Sequence, residues 1–150
     1  MIKYVCIFLM AVQVQFSSTP IPTESQSRAA SCEPTEFTEY DAEILIYLLP
    51  ASMTTRNNGR KVGWELQSNP ELNEKDFFIF YVYDLSAPDS GSPTIGYFAI
   101  NKHTAEVWDM SAGRSVQSED LLAVQKILRR GHCVDESVLK TYSSRRPDTK

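Results

Sequence analysis

The fold is decided by the run Phe77–Tyr83, which reads Phe-Phe-Ile-Phe-Tyr-Val-Tyr. Every residue in this run is aromatic or β-branched, and both types are enriched in β-strands. An apolar run of this length without alternating polar residues is typical of a strand that is buried on most of both faces. The sequence therefore predicts a central strand of a β-sheet here.

Shorter segments on both sides of this run also predict strands. Residues 62–66 alternate between apolar side chains and polar residues or glycine, which is the pattern of a half-buried strand. Two further strands are predicted at 95–100 and 105–110, and the compact polar connection 101–104 between them indicates a hairpin. Residues 111–115 are expected to form a loop.

Two amphipathic helices are predicted outside the block of strands. The first is expected to have Thr35 as its N-cap and to end near Leu49, because the residue before Pro50 is biased away from helix. The second is expected to follow the N-cap Ser118, with acidic residues in its first turn, and to end at Gly131.

This order of elements predicts the fold class. Strands in one block with helices outside it favour an α+β fold, an antiparallel meander of three to four strands packed with an N-terminal and a C-terminal helix. A turn is expected at 54–60 and a last helical turn at 135–142. We expect one α+β domain at 34–142 and a polar, fraying tail at 143–150.

The first residues have the organisation of a secretory signal peptide. Lys3 precedes an apolar run at 4–12, which passes into small polar residues at 17–19. The run is shorter than the roughly 20 apolar residues that a membrane-spanning helix needs. We expect a signal peptide at 1–18, a flexible lead-in at 19–33, a periplasmic or secreted protein, and no stable membrane anchor after cleavage.

Signal cleavage would remove Cys6 and leave Cys32 and Cys133 in an oxidising compartment. Two cysteines in that setting are expected to pair in a disulfide. The bridge would close a loop of roughly 100 residues, for which chain entropy gives a stabilisation on the order of 4 kcal/mol. Cys133 acting as a nucleophile beside His132 is the alternative, which is disfavoured because neighbours in sequence rarely face each other as a dyad.

The charge balance bears on the class of partner. The formal net charge of the chain is −4, and losing the positive charge of Lys3 with the signal peptide makes it −5. Nucleic-acid phosphates require a basic surface, so an acidic domain is a poor candidate for binding them. Because complementary fields speed encounter, we expect a basic protein partner and no nucleic acid.

The sequence contains no motif of a common metal or catalytic site. Neither Cys-x-x-Cys nor His-Glu-x-x-His occurs, and His103 and His132 have no partner at ligand spacing, so we expect no metal and no cofactor. Asp84, Glu106 and Asp109 lie near strand ends, where two of them would suit glycoside hydrolysis. The alternative is that these carboxylates end strands and cap loops.

The hairpin at 97–109 carries a resemblance to a known group of proteins. An aromatic strand, a turn that reads Asn-Lys-His-Thr-Ala at 101–105 and a Val-Trp strand follow one another. This stretch is similar to the hairpin of small bacterial immunity proteins with a nuclear-transport-factor-two-like or cystatin-like fold, whose turn reads Asn-Lys-x-Thr-Gly. Ala105 stands at the usual glycine position.

The resemblance implies a periplasmic protein that occludes the active site of a toxin, such as a cell-wall hydrolase injected by type VI secretion. We expect a non-enzymatic binding protein whose contacts lie in the loops Asp84–Pro93 and Trp108–Arg114. A small cell-wall or carbohydrate hydrolase and a secreted host-interaction module are the alternatives. The predicted anchors for the partner are Tyr83, Asp84, Trp108, Asp109 and Arg114.

Overall fold

The structure is a computed structural model that describes residues 32–69, 71–86 and 93–148. The predicted signal peptide at 1–18 and the predicted lead-in up to residue 31 lie outside these ranges. None of the helices in the described ranges is long and apolar enough to cross a membrane.

The described strands form one five-stranded antiparallel sheet, in which each strand pairs with its neighbour along the chain. The α+β meander predicted from the sequence is therefore confirmed. The last strand occupies part of the loop predicted at 111–115. It was not predicted because a strand of two residues has no periodic pattern in the sequence. The strands are β1 (Val62–Gln67), β2 (Phe77–Asp84), β3 (Thr94–Asn101), β4 (Val107–Asp109) and β5 (Arg114–Ser115).

Helices precede and follow the sheet in the described residues. The predicted C-terminal helix begins after its predicted N-cap, Ser118, whose Oγ accepts a hydrogen bond from the Leu121 amide at 3.3 Å. The short helix expected at 135–142 is also present. The helices are α1 (Glu39–Tyr47), α2 (Pro50–Asn57), α3 (Glu119–Gly131) and α4 (Glu136–Tyr142).

The N-terminal helix differs from the prediction at both ends. Its N-cap is Thr38 rather than Thr35, because Thr38 and Asp41 exchange side-chain and backbone hydrogen bonds in a capping box. Pro50 is the first residue of α2, a position that suits proline because the first amides of a helix have no helical acceptor. α2 therefore occupies part of the predicted turn at 54–60.

One face of the sheet encloses the main hydrophobic core together with the helices. Phe80 and Val82 of β2 and Ile100 of β3 point to this face and are buried. Burying a side chain of this size contributes about 1.5–3 kcal/mol to the free energy of folding. Alternate residues of β2 therefore stabilise the packing of the helices on the sheet. The helices cover this face with Ala42, Leu45, Ile46 and Leu121.

The opposite face has a smaller core at one end of the sheet. Phe77, Ile79 and Ala99 are buried there. Partly buried side chains of β4 and the neighbouring loops pack on this cluster, namely Leu72, Trp108 and Met110. Further along β2, toward its end at Asp84, the same face carries side chains that keep contact with solvent.

The chain after α4 folds back over this smaller core. Pro147 is buried, and its carbonyl oxygen accepts a hydrogen bond from the Asn73 amide at 3.0 Å. Arg145 Nη1 donates to the buried Asp76 Oδ2 at 2.7 Å. Residues 143–148 are therefore packed, and the fraying tail predicted there was wrong for them. Both contacts join residues far apart in sequence, so no local pattern could predict them.

The β3–β4 turn is held by α3. Ala105 has a φ of 57°, in the left-handed region that favours glycine, so alanine keeps the turn geometry at a cost of about 1–2 kcal/mol. Gln125 Nε2 donates to the Ala105 carbonyl oxygen at 2.8 Å, and Arg129 Nε donates to the Thr104 carbonyl oxygen at 2.7 Å. These bonds satisfy acceptors that the buried turn has removed from water.

Three other parts of the chain bind the same turn. The Phe37 amide donates to the Lys102 carbonyl oxygen at 2.8 Å, and the Lys102 amide donates to the Asp76 carbonyl oxygen at 2.8 Å. Asn101 Nδ2 donates to the Tyr142 carbonyl oxygen in α4 at 3.4 Å. The turn thereby connects the segment before α1, the loop before β2 and the last helix.

The segment before α1 is fastened to the C-terminal end of α3. Cys32 and Cys133 form the predicted disulfide, so the alternative of a free nucleophilic thiol at Cys133 finds no support. Next to the bridge, the Thr35 amide donates to the His132 carbonyl oxygen at 3.1 Å. His132 Nε2 also lies 3.2 Å from the Asp41 carboxylate, which ties α1 to the same point.

Substituting Gln125 tests whether its hydrogen bond from α3 to the β3–β4 turn stabilises the fold. Gln125→Leu leaves the Ala105 carbonyl oxygen without its donor in a buried site, so we expect the free energy of unfolding to fall by about 1–3 kcal/mol. Urea unfolding followed by circular dichroism measures this change in the free energy of unfolding. Lys126→Leu, at the exposed neighbouring position, is the control and should change stability by no more than about 0.5 kcal/mol. Equal effects of the two variants would contradict this role.

Asp76 makes stability depend on pH. Burial alone would raise the pKa of its carboxyl group, but hydrogen bonds from Arg145 and Asn73 and the charge of Arg145 outweigh burial and lower it below 3.8. Because the pKa is lower in the folded state, the ionised carboxylate stabilises the fold above pH 3.8, and this contribution is lost as pH falls through the folded-state pKa.

We therefore expect Asp76→Asn to lower the free energy of unfolding by about 1–3 kcal/mol near neutral pH and by progressively less as the solution becomes more acidic than pH 3.8. Urea titrations over this range measure the difference from the original chain. Glu71→Gln, at an exposed position in the same loop, is the control. A deficit that does not shrink in acid would show that Asp76 does not act through its charge.

Candidate functional site

The two loops predicted to contact a partner lie at the same end of the sheet. β2 ends at Asp84, β3 begins at Thr94, and the Met110 amide in the β4–β5 turn donates to the Tyr97 carbonyl oxygen at 2.9 Å. Residues 87–92 of the first loop lie outside the described ranges. We name the end of the sheet defined by Asp84, Thr94 and the β4–β5 turn the loop end.

Three tyrosines form a continuous aromatic surface near the loop end, and we name Tyr81, Tyr83 and Tyr97 the tyrosine face. The ring of Tyr81 lies between the other two, with centroids 5.3 Å from Tyr83 and 5.0 Å from Tyr97. Tyr97 is 45% exposed, and the Tyr81 hydroxyl is hydrogen-bonded to Thr94 Oγ1 at 3.0 Å. Packing between the rings holds them in place before any partner arrives.

β1 completes this surface with one carboxylate and one glycine. Glu65 pairs with Tyr81 across the strands, and its Oε1 accepts a hydrogen bond from the Tyr83 hydroxyl at 3.3 Å. Loss of solvent contact and the negative charge of Glu65 raise the pKa of Tyr83. A Cβ atom at Gly63 would lie 2.8 Å from the Tyr83 ring, so only glycine lets the ring lie against β1.

A cavity of about 720 Å³ opens on the opposite, helical side of the loop end, and we name it the groove. Its rim carries Asp109 and Arg114, which pair across β4 and β5. The structure thus brings two of the predicted anchors together. Its apolar lining includes Leu49, Ile95, Phe98 and Val116.

The carboxylates at the two strand ends have structural partners. Asp84 is buried, its Oδ2 lies 2.6 Å from Arg60 Nε, and its Oδ1 accepts the Ser86 amide at 2.8 Å. Asp109 Oδ1 accepts two amides of the β4–β5 turn, each at 2.9 Å. These are the contacts of residues that end strands and cap turns, the alternative weighed from the sequence.

Trp108 and Tyr83 lie on the face of the sheet opposite the groove. The Trp108 ring is half-buried beside the smaller core, and the Arg146 guanidinium lies 5.9 Å from its centroid. Trp108 therefore belongs with the packed C-terminal segment, whereas Tyr83 belongs to the tyrosine face. Of the predicted anchors, Tyr83, Asp109 and Arg114 remain accessible at the loop end.

Sequence reasoning did not identify Tyr81, Tyr97 and Glu65 as parts of the site. The unbroken aromatic and β-branched run Phe77–Tyr83 predicts burial on both faces, because its tyrosines fit the same pattern as phenylalanine. The alternation along this run is the signal that was missed: Tyr81 and Tyr83 share one face of β2, and within the run the opposite face carries only phenylalanine and valine. Among the described residues, no group of histidine, cysteine, aspartate and glutamate side chains is arranged to hold a metal ion.

Comparison with known proteins gives one informative likeness. No protein-family model matches the sequence, and the search of curated proteins gives no match. Among solved structures, the chain is similar to one in "Structure of a type VI secretion system effector-immunity complex from Pseudomonas protegens". The TM-score is 0.50 and the identity 14%, over 75% of this chain and 90% of that chain. At that identity the likeness shows a shared fold.

Proposed function

We propose that this chain is an exported, non-enzymatic protein that binds a secreted antibacterial toxin and neutralises it by covering the active site of the toxin. The tyrosine face is the observation that carries the proposal. Tyrosine is enriched among the residues that dominate protein interfaces, because a rigid apolar ring and a polar hydroxyl share one side chain. Here the three rings are ordered by contact with one another.

The fold and the sequence support the same proposal. A chain of similar fold comes from a structure whose title describes a type VI effector-immunity complex. The predicted signal peptide would place this chain in the periplasm or outside the cell, and a disulfide suits that compartment. The negative net charge, −4 for the full chain and −5 without Lys3, favours encounter with a basic toxin, such as a cell-wall hydrolase.

The geometry of the loop end supports occlusion as the mechanism. The tyrosine face lies on one side of the sheet and the groove on the other, so a partner has access to both sides of the loop end. Because both of its sides are accessible, the loop end is suited to entering the catalytic cleft of a toxin and contacting both walls of that cleft. We assign Tyr83, Asp109 and Arg114 to this contact, together with Tyr81 and Tyr97.

The proposal is tested by capture and inhibition. The exported chain, with its disulfide intact, is used to capture binding proteins from the source cells and their close relatives. We expect a one-to-one complex with a toxin whose enzymatic or killing activity is lost on binding. Tyr97→Ala should weaken this complex at least about ten-fold, as expected for an interface residue near the centre of the contact.

A matched control is available on α1. Tyr40 is 71% exposed, more than Tyr97, and lies away from the loop end. Tyr40→Ala should leave binding unchanged. Gly63→Ala moves the Tyr83 ring without removing it and should weaken the complex, as should Arg114→Ala on the groove side. A captured protein that keeps its activity in the complex would contradict the proposed inhibition.

A further inference from the structure

The tyrosine face carries a negative charge that none of its neighbouring strand positions balances. The side chains that share this face on β1 to β4 are uncharged except for Glu65. Glu65 is exposed, and its Oε2 accepts no hydrogen bond from the described residues. One carboxylate oxygen therefore remains available beside three aromatic rings.

Aromatic rings attract cations through the negative charge of their faces. This chain already pairs such rings with its own cations elsewhere. Arg56 lies 3.3 Å from the centroid of the Tyr47 ring, and Arg145 lies 4.3 Å from that of Tyr142. Within the described ranges, no cation of the chain lies over a ring of the tyrosine face.

We propose that the tyrosine face and Glu65 together receive a cationic side chain, arginine or lysine, of the partner protein. The cation stacks on the ring of Tyr81 or Tyr97, and its N–H groups donate to the free oxygen of Glu65. The inference rests on the proposed function, because it assumes that the cation belongs to the protein that this chain binds. It goes further because it names the chemical group that the surface recognises.

Arginine fits this arrangement better than lysine. Its planar guanidinium can stack on a ring and donate to a carboxylate from its edge at the same time, whereas an ammonium group is a compact point charge. Glu65 pairs with Tyr81 on the adjacent strand, which puts the carboxylate at the border of the aromatic surface. Stacking and ion pairing are therefore available from one position of the ligand.

The probe for this inference is N-acetylarginine amide, and the matched control is N-acetylcitrulline amide, which has nearly the same shape without the charge. Each is titrated at low ionic strength into the complete exported chain, and the ring protons of the tyrosines are followed by NMR. We expect the arginine probe to shift the resonances of Tyr81, Tyr83 and Tyr97 most strongly. The citrulline probe should shift them at least about two-fold less.

Substitutions separate recognition by this surface from general attraction to an acidic protein. Glu65→Gln and Tyr81→Leu should each reduce the response of the remaining rings about two- to five-fold. Glu33→Gln removes an exposed carboxylate from the segment before α1 and should not change the response. Equal shifts with both probes, or equal losses in the Glu65 and Glu33 variants, would overturn the inference.

Failure of this inference is distinguishable from failure of the proposed function. A toxin that is captured and inhibited equally well by the original chain and by Glu65→Gln and Tyr81→Leu would leave the function standing and overturn the inference. A specific response of the tyrosine rings to the arginine probe supports the inference even where no toxin is inhibited.

Discussion

The arrangement of this molecule depends on the buried turn between β3 and β4. A turn that is removed from water must find donors and acceptors within the protein for its backbone groups. Here the partners of its backbone groups come from α3, from the segment before α1 and from the loop before β2, and the side chain of Asn101 donates to a carbonyl oxygen of α4. Satisfying one short turn therefore fixes where four separate parts of the chain lie.

A second consequence of this arrangement is that the two ends of the sheet differ. The end with the turn is enclosed by helices, by the loop before β2 and by the C-terminal segment. On the tyrosine side of the loop end, the side chains keep contact with solvent. Along β2, the same face changes from Phe77 and Ile79 to Tyr81 and Tyr83. The hydroxyl groups allow these positions to remain in contact with water.

How much of the fold was predictable depended on whether its signals were local. The cap at Ser118 and the four longer strands have signals within a few residues, and the structure has these elements where they were predicted. α2 was missed because Pro50 both follows one helix and starts the next, and because Thr54 and Thr55 are weak helix formers. In the structure these threonines donate their hydroxyls to carbonyl oxygens one turn earlier in α2.

The candidate site was less accessible to sequence reasoning than the fold. The tyrosine face joins Tyr81 and Tyr83 of β2 with Tyr97 of β3, and the ion pair of Arg145 with Asp76 joins residues that are far apart in sequence. Asp84 was predicted as a partner contact at a strand end, and its ion pair with Arg60 was missed because Arg60 precedes β1. Both cases involve pairs that no local pattern connects.

The buried β3–β4 turn also has a consequence for the order of folding. The β3–β4 hairpin is local and can close early, but its turn is also hydrogen-bonded to groups far away in sequence, at Phe37 and at Tyr142. Contacts of high sequence separation slow folding, because the chain entropy of long loops is lost before the contact is gained. The turn therefore gains its full set of hydrogen bonds only after α4 has packed against it.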